Sequence, residues 1–144
     1  MHVDIPPLPL FPTVVVVGLG NIGSHLAEAL GRIPALKRVI NVDPDTYGTS
    51  NLPGQHILAR EVGQSKALVQ ARRLRAINPA LEVIAVVDDI ANLPVGWLRN
   101  SVVMGCVDAI LPRNSINEAV WRAGTVWIDG GVEPASGLVR VRTR

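Results

Sequence analysis

The chain contains one cysteine, Cys106. No disulfide can close within it, and a paired-cysteine zinc site is excluded, so no zinc is expected. This suits a reducing compartment, and the cytoplasm is the expected location. Aromatic residues are scarce, at 3% of the chain. None interleaves with the arginine-rich stretch Arg72, Arg73 and Arg75. That trio therefore reads as a solvated helix face, and no nucleic-acid partner is expected. Charged residues make up only 18% and the net charge is +2. No apolar run approaches the roughly 20 residues that cross a bilayer, so no membrane partner is expected. The first twelve residues, MHVDIPPLPLFP, lack the basic segment of a signal peptide. Their prolines predict an extended arm over residues 1–12. Residues 13–144 fit one domain able to bury a core.

Strand-like and helix-like segments alternate along the chain. The continuous apolar run at residues 14–17 predicts a strand buried on both faces. A helix is expected over 22–30, a strand over 38–42 and a polar, glycine- and proline-containing loop over 43–55. A helix follows over 65–77, with Ser65 as its cap, and Asn78-Pro79 ends it. Strands are expected at 81–87, 102–106 and 126–128. Residues 92–100 read as irregular or as a short helix. A helix is expected over 113–123, after Pro112 and before Gly124. The alternating LVRVR at 138–142 predicts an antiparallel or edge strand. This order predicts a Rossmann-like α/β fold: a doubly wound, mainly parallel sheet with helices on both faces and the first strand near its centre.

Within that order, Thr13 to Ala29 (TVVVVGLGNIGSHLAEA) runs a valine strand into Gly18, Gly20 and Gly23. The first glycine permits a sharp turn, the second lets a pyrophosphate approach the backbone, and the third lets helix and strand pack closely. Asp43 closes the second strand about 20 residues further on, the spacing of a carboxylate that accepts from ribose hydroxyls. In open sheets of this kind the ligand crevice lies beyond the carboxyl ends of the strands. The glycine turn, Asp43 and the stretch from Cys106 to Asp108 all fall at such ends. The glycines and Asp43 alone also permit an NAD-dependent dehydrogenase.

The loop DPDTYGTSNLPGQ, residues 43–55, is more specific. Asp43, Asp45, Ser50, Asn51, Leu52 and Gln55 stand in register with a D-x-D…S-N-L-x-R-Q pattern. The segments VGQSKALVQARRLRAINPALEV, NSVVMGCVDAILPRNSIN and WIDGGVEPASGLVRV follow in the matching order. Together they resemble the adenylating domain of the ubiquitin-activating-enzyme superfamily, of the ThiF, MoeB and HesA type. The resemblance runs from about residue 14 to 141. It implies binding of ATP and Mg²⁺, and adenylation of the C-terminal glycine of a ubiquitin-like or sulfur-carrier protein with release of pyrophosphate. By position it implies that Gly18, Gly20 and Gly23 lie against the nucleotide and that Asp43 holds the ribose. Asp45 and Gln55 belong to the same nucleotide-binding set. Asn51 and Lys66 meet the phosphates, and Asp108 binds Mg²⁺, so Lys66, Asp108 and Asn51 are the expected catalytic residues. A homodimer or heterodimer is implied as well.

Single residues keep alternatives. Arg113 either reaches the site or only opens a helix. Cys106, on a central strand, reads as a packing residue and not a nucleophile. Trp97, Trp121 and Trp127 read as core or domain-edge packing. His25 reads as a helix-face residue and His56 as a loop residue.

The chain departs from the pattern at Gly54, where members carry an arginine that would neutralise phosphate charge, and at Ala109, where an asparagine often follows the metal aspartate. The resemblance ends at the G-x-V-x-V strand, before the regions that carry thioester chemistry in fuller members. Thioester transfer by this stretch alone is therefore not expected. A nucleotide- or partner-binding subunit without catalysis is the alternative these departures raise.

Overall fold

The computed structural model describes residues 11–133 and 138–143. Most of the expected arm, residues 1–10, lies outside the described residues.

Six strands form one sheet in the order β3-β2-β1-β4-β5-β6. They are β1 (Thr13–Val17), β2 (Arg38–Val42), β3 (Glu82–Val86), β4 (Ser101–Gly105), β5 (Val126–Glu133) and β6 (Leu138–Thr143). The first five run parallel, and β6 returns antiparallel to β5. The helices are α1 (Gly23–Gly31), α2 (Lys66–Ile77), α3 (Val95–Leu98) and α4 (Ile110–Ala123). The doubly wound fold and the central first strand are thus as expected.

The alternation of side chains along each strand explains why β1 is apolar throughout. Val14 and Val16 join Val39, Val83 and the α1 and α2 residues Ala27, Leu30, Ala71 and Leu74 on one face. Val15 and Val17 join Ile40, Val42, Val103, Leu98, Ile116 and Val120 on the other. A strand covered on both faces has no position for a polar residue facing water. Full burial of each such side chain stabilises by roughly 1.5–3 kcal/mol.

Two boundaries differ from expectation. Helix α4 begins at Ile110, not after Pro112, so the proline sits inside its first turn. The first N–H groups of a helix have no partner within it, so a missing N–H costs nothing there. Strand β5 continues past Ile128 to Glu133. Pairing with β6 supplies hydrogen bonds across Gly130 and Gly131, which intrinsic preference alone would place in a turn. Gly124 ends α4 in the left-handed region at φ 63°. Ser65 caps α2 as expected, its Oγ accepting from Leu68 N–H at 3.5 Å.

The arginine trio does not form one solvated face. Arg73 is largely buried and pairs with Glu61 at 3.1 Å. Arg75 donates to the Val83 carbonyl at 2.6 Å, and Arg72 bonds the Gln64 side chain. Trp127 packs against the core as expected, whereas Trp121 is 85% exposed.

Candidate nucleotide site

The carboxyl ends of β1, β2, β3 and β4 open into one cleft of about 320 Å³. Gly18, Gly20, Asp43, Asp45, Asn51, Gln55, Lys66 and Asp108 all line it. Gly23 does not. A Cβ there would stand 1.9 Å from the Gly18 carbonyl, so this glycine lies beneath the turn and lets α1 close onto it. Gly18 itself has φ 86°, and a Cβ on it would meet Cys106 O at 2.9 Å. Gly20 is different: its added Cβ would find only the Gln55 amide, at 3.5 Å. The open side of the turn therefore faces the cleft at Gly20. Helix α1 starts three residues on, at Gly23, with no side-chain cap; its Ser24 and His25 N–H groups bond back to the Gly20 and Ile22 carbonyls, and the positive end of its dipole lies behind the turn.

The turn is held from both sides through Leu19. Its N–H donates to Asp43 Oδ2 at 2.7 Å. Its carbonyl accepts from the Tyr47 hydroxyl at 2.8 Å, and that hydroxyl accepts in turn from Gln70 at 2.9 Å. Asp43 Oδ1 accepts from Asp45 N–H at 2.9 Å. Burial raises the Asp43 pKa, opposed by these two backbone donors and by Lys66. Each carboxylate oxygen keeps acceptor capacity after one hydrogen bond, so the group can also receive a ligand hydroxyl.

Lys66 opens α2, its side chain only 12% exposed, with Nζ 3.7 Å from Asp45 and 5.7 Å from the centre of the Tyr47 ring. Asn51 Oδ1 accepts from Gly48 N–H at 2.8 Å, which closes a short 3₁₀ turn and leaves the amide NH₂ as its donor group. Gln55 Oε1 is buried without a hydrogen-bond partner. A buried polar atom of this kind is costly unless a ligand or water meets it. Gly54 is exposed and lies outside the cleft lining. Its carbonyl lies 3.3 Å from His25 Nε2, and the His25 ring stacks on His56 at 5.4 Å.

Sequence reasoning missed three lining residues with polar side chains, Asn21, Asp88 and Asp89. The two aspartates follow β3, so the strand-end rule that singled out Asp43 applied to them equally. Arg113 stands behind Gly131 at the rim, with Nε 3.2 Å from Asp129 Oδ2. Cys106 lines the floor, and burial, helped by the charge of Asp129, pushes its thiol up to about 12. A packing role fits that chemistry and a thiolate nucleophile does not.

Among the described residues no three His, Cys, Asp or Glu side chains cluster as a metal cage. A metal here would be shared with ligand oxygens, the usual way Mg²⁺ is held. The exposed carboxylate of Asp108 on the lining suits that role. The lining also carries five aspartates against one lysine. A polyphosphate therefore fits only with its own divalent cation.

The architecture and the glycine-lined cleft define a Rossmann-like α/β domain with an open cleft at its strand ends. The model of the ThiF family matches residues 11–144, and the chain belongs to that family. It is 31% identical over 137 residues to the NEDD8-activating enzyme E1 catalytic subunit of Saccharomyces cerevisiae, covering 88% of this chain and 46% of that protein. It is 35% identical over 111 residues to the tRNA threonylcarbamoyladenosine dehydratase of Escherichia coli, covering 72% of this chain and 40% of that protein. The crystal structure of the E. coli dehydratase, TcdA, superposes with a TM-score of 0.73 at 30% identity, covering 88% of this chain and 57% of that one. The same enzyme has been solved in complex with ATP, at a TM-score of 0.69. The chain spans about half the length of these relatives or less. No helix among the described residues is long and apolar enough to cross a membrane.

Proposed function

We propose that this chain is an ATP·Mg²⁺-binding adenylation domain that activates a carboxylate. Its expected substrate is the C-terminal glycine of a ubiquitin-like or sulfur-carrier protein, with release of pyrophosphate. The observation that carries the reading is convergence. Residues from four separate segments, expected to bind ATP, meet in one cleft.

In this reading Gly18 and Gly20 lie against the nucleotide and Asp43, with Asp45 beside it, receives the ribose. Asn51, Gln55 and Lys66 meet the phosphates. Lys66, little exposed, holds its charge where screening by water is weak. Asp108 holds the metal. Bound Mg²⁺ would offset phosphate charge and polarise phosphoryl oxygens. The substrate's carboxylate is itself the nucleophile, so no Ser–His or Cys–His pair is needed. The family placement speaks against the dehydrogenase reading, in which the 43–55 loop and Lys66 have no role.

A second reading concerns the substrate. The tRNA dehydratase relatives favour it, since they match in sequence and structure alike. A threonylcarbamoyl group ends in a carboxyl group, and removing water from it calls for the same activation. In a third reading, favoured by Gly54, the chain binds nucleotide or partner without catalysis.

Calorimetric titration with ATP·Mg²⁺ tests the common core. Binding weakened about tenfold or more by Asp108→Ala is expected. Binding of NAD but not ATP would overturn the reading. Pyrophosphate–ATP exchange, driven by a carrier protein ending in Gly-Gly or by threonylcarbamoyladenosine, separates the readings. No exchange with either, in the parent and in Gly54→Arg, leaves the non-catalytic one.

A further inference from the structure

Arg113 is bound to Asp129 through one edge only. Its Nε–H lies 3.3 and 3.2 Å from the two Asp129 oxygens. The two terminal nitrogens remain as donors, and a pair of parallel N–H groups on a guanidinium can meet a carboxylate bidentately. One of them, Nη2, lies over Gly131: a Cβ on Gly131 would stand 2.8 Å from it. Gly131 lines the cleft. The guanidinium thus packs over a cleft-lining glycine at the rim, next to the lining residue Pro112 and not itself part of the lining.

The position of this glycine across the sheet matters. The ribose-binding candidate Asp43 follows β2, whereas Gly131 belongs to β5, three strands away in the order β2-β1-β4-β5. At nearly 5 Å per strand this is roughly 14 Å. Lys66, Asn51 and Gln55 come from α2 and the 43–55 loop, on the β2 side. Displacement at the α-phosphorus is in line: a new P–O bond forms on one side while the bond to the leaving pyrophosphate breaks on the other. With the pyrophosphate held by the Lys66 group, the attacking carboxylate enters from the β4–β5 side. There it brings a second negative charge to a cleft whose only lining cation, among the described residues, is Lys66. Ile110 and Leu111, in the same first turn of α4 as Arg113, are 75% and 79% exposed.

We propose that Arg113, at the cleft rim over Gly131 and steadied by Asp129, is the binding residue for the carboxylate of the acyl substrate. This rests on the adenylation reading and assigns the second half of its site. Asp129 fixes the guanidinium plane and so acts as a positioning residue.

The test uses the full chain and two probes, a short synthetic peptide ending in Gly-Gly with a free carboxylate, and threonylcarbamoyladenosine, each compared with its carboxamide. Binding is followed through the ¹⁵N–¹H signal of Arg113 Nε and by calorimetry, with ATP·Mg²⁺ titrated separately. The expected result is that one carboxylate probe shifts the Arg113 signal and its amide does not. Arg113→Lys and Gly131→Ala should each weaken that probe about tenfold or more while ATP·Mg²⁺ affinity changes less than about twofold. Arg113→Lys serves if Gly131→Ala fails to fold. Equal binding of carboxylate and amide, equal loss of ATP and probe in Arg113→Lys, or no Arg113 shift with either probe overturns the proposal. Loss of ATP binding in the parent chain overturns the adenylation reading instead, and the Arg113 signal reports independently of it.

Discussion

The hydroxyl of Tyr47 donates a 2.8 Å hydrogen bond to the carbonyl of Leu19, between the two glycines that shape the cleft. Burial pushes this phenol up to about 12, so it remains a protonated donor at any working pH. Removing it in Tyr47→Phe strands the Leu19 carbonyl and takes a partner from buried Gln70. We expect a loss of about 1–3 kcal/mol, seen as a melting midpoint lower by roughly 3–10 °C. ATP·Mg²⁺ affinity should fall as well, because the turn loses one of its two anchors. A midpoint unchanged within error in differential scanning calorimetry would contradict this.

Asp43 supplies the other anchor, and its burial has a pH signature. Its folded pKa is raised, chiefly by desolvation. The folded protein therefore takes up a proton before the unfolded chain does. Stability from this group increases as pH falls through the folded value and is complete below the unfolded one. The stability difference between the parent and Asp43→Asn should move in the parent's favour as pH is lowered into the carboxylate range. Urea unfolding of both proteins at several pH values measures it. A difference that is flat, or that slopes the other way, would show that the hydrogen bonds from Leu19 and Asp45 outweigh burial.

Gly20 and Gly23 separate binding from folding. Gly23→Ala puts a methyl 1.9 Å from the Gly18 carbonyl, and backbone must move. A loss of about 3 kcal/mol or more is expected, read by chemical denaturation. In Gly20→Ala the methyl meets the Gln55 amide at an ordinary 3.5 Å, but it projects where a phosphate would approach. That variant should fold with a near-parent melting point and bind ATP·Mg²⁺ at least about tenfold more weakly. The opposite pattern would place the ligand elsewhere.

Cys106 is 8% exposed, and its thiol is pushed up to about 12. The thiolate is the reactive form. Iodoacetamide at pH 8 should leave the native protein unmodified by mass spectrometry for hours, while the urea-unfolded chain reacts to completion. Prompt native labelling would mean that the cleft floor opens.

Much of this was legible in the residues. The valine run of β1 marks a strand covered on both faces, because only such a strand excludes polar positions. The 43–55 loop announced Asp43, Asp45, Asn51 and Gln55, all of which reach the cleft. Where the reading failed, the cause lay in contacts between distant segments. Pro112 looked like a boundary until the first turn of α4 proved able to contain it. Strand β5 was expected to end at Ile128, but pairing with β6 carries it on through Gly130 and Gly131.

The sequence by itself determined the order of strands and helices, the glycine turn and most of the polar residues that reach the cleft, since these depend on local periodicity and on short motifs. Tertiary structure alone decided that Tyr47 clamps Leu19, that Asp88 and Asp89 line the cleft, that Gly23 does not line it, and that Arg113 packs over Gly131 beside Asp129. Apart from the turn glycines, each of these joins segments more than fifteen residues apart. Only the packing of helices onto both faces of a parallel sheet brings them together.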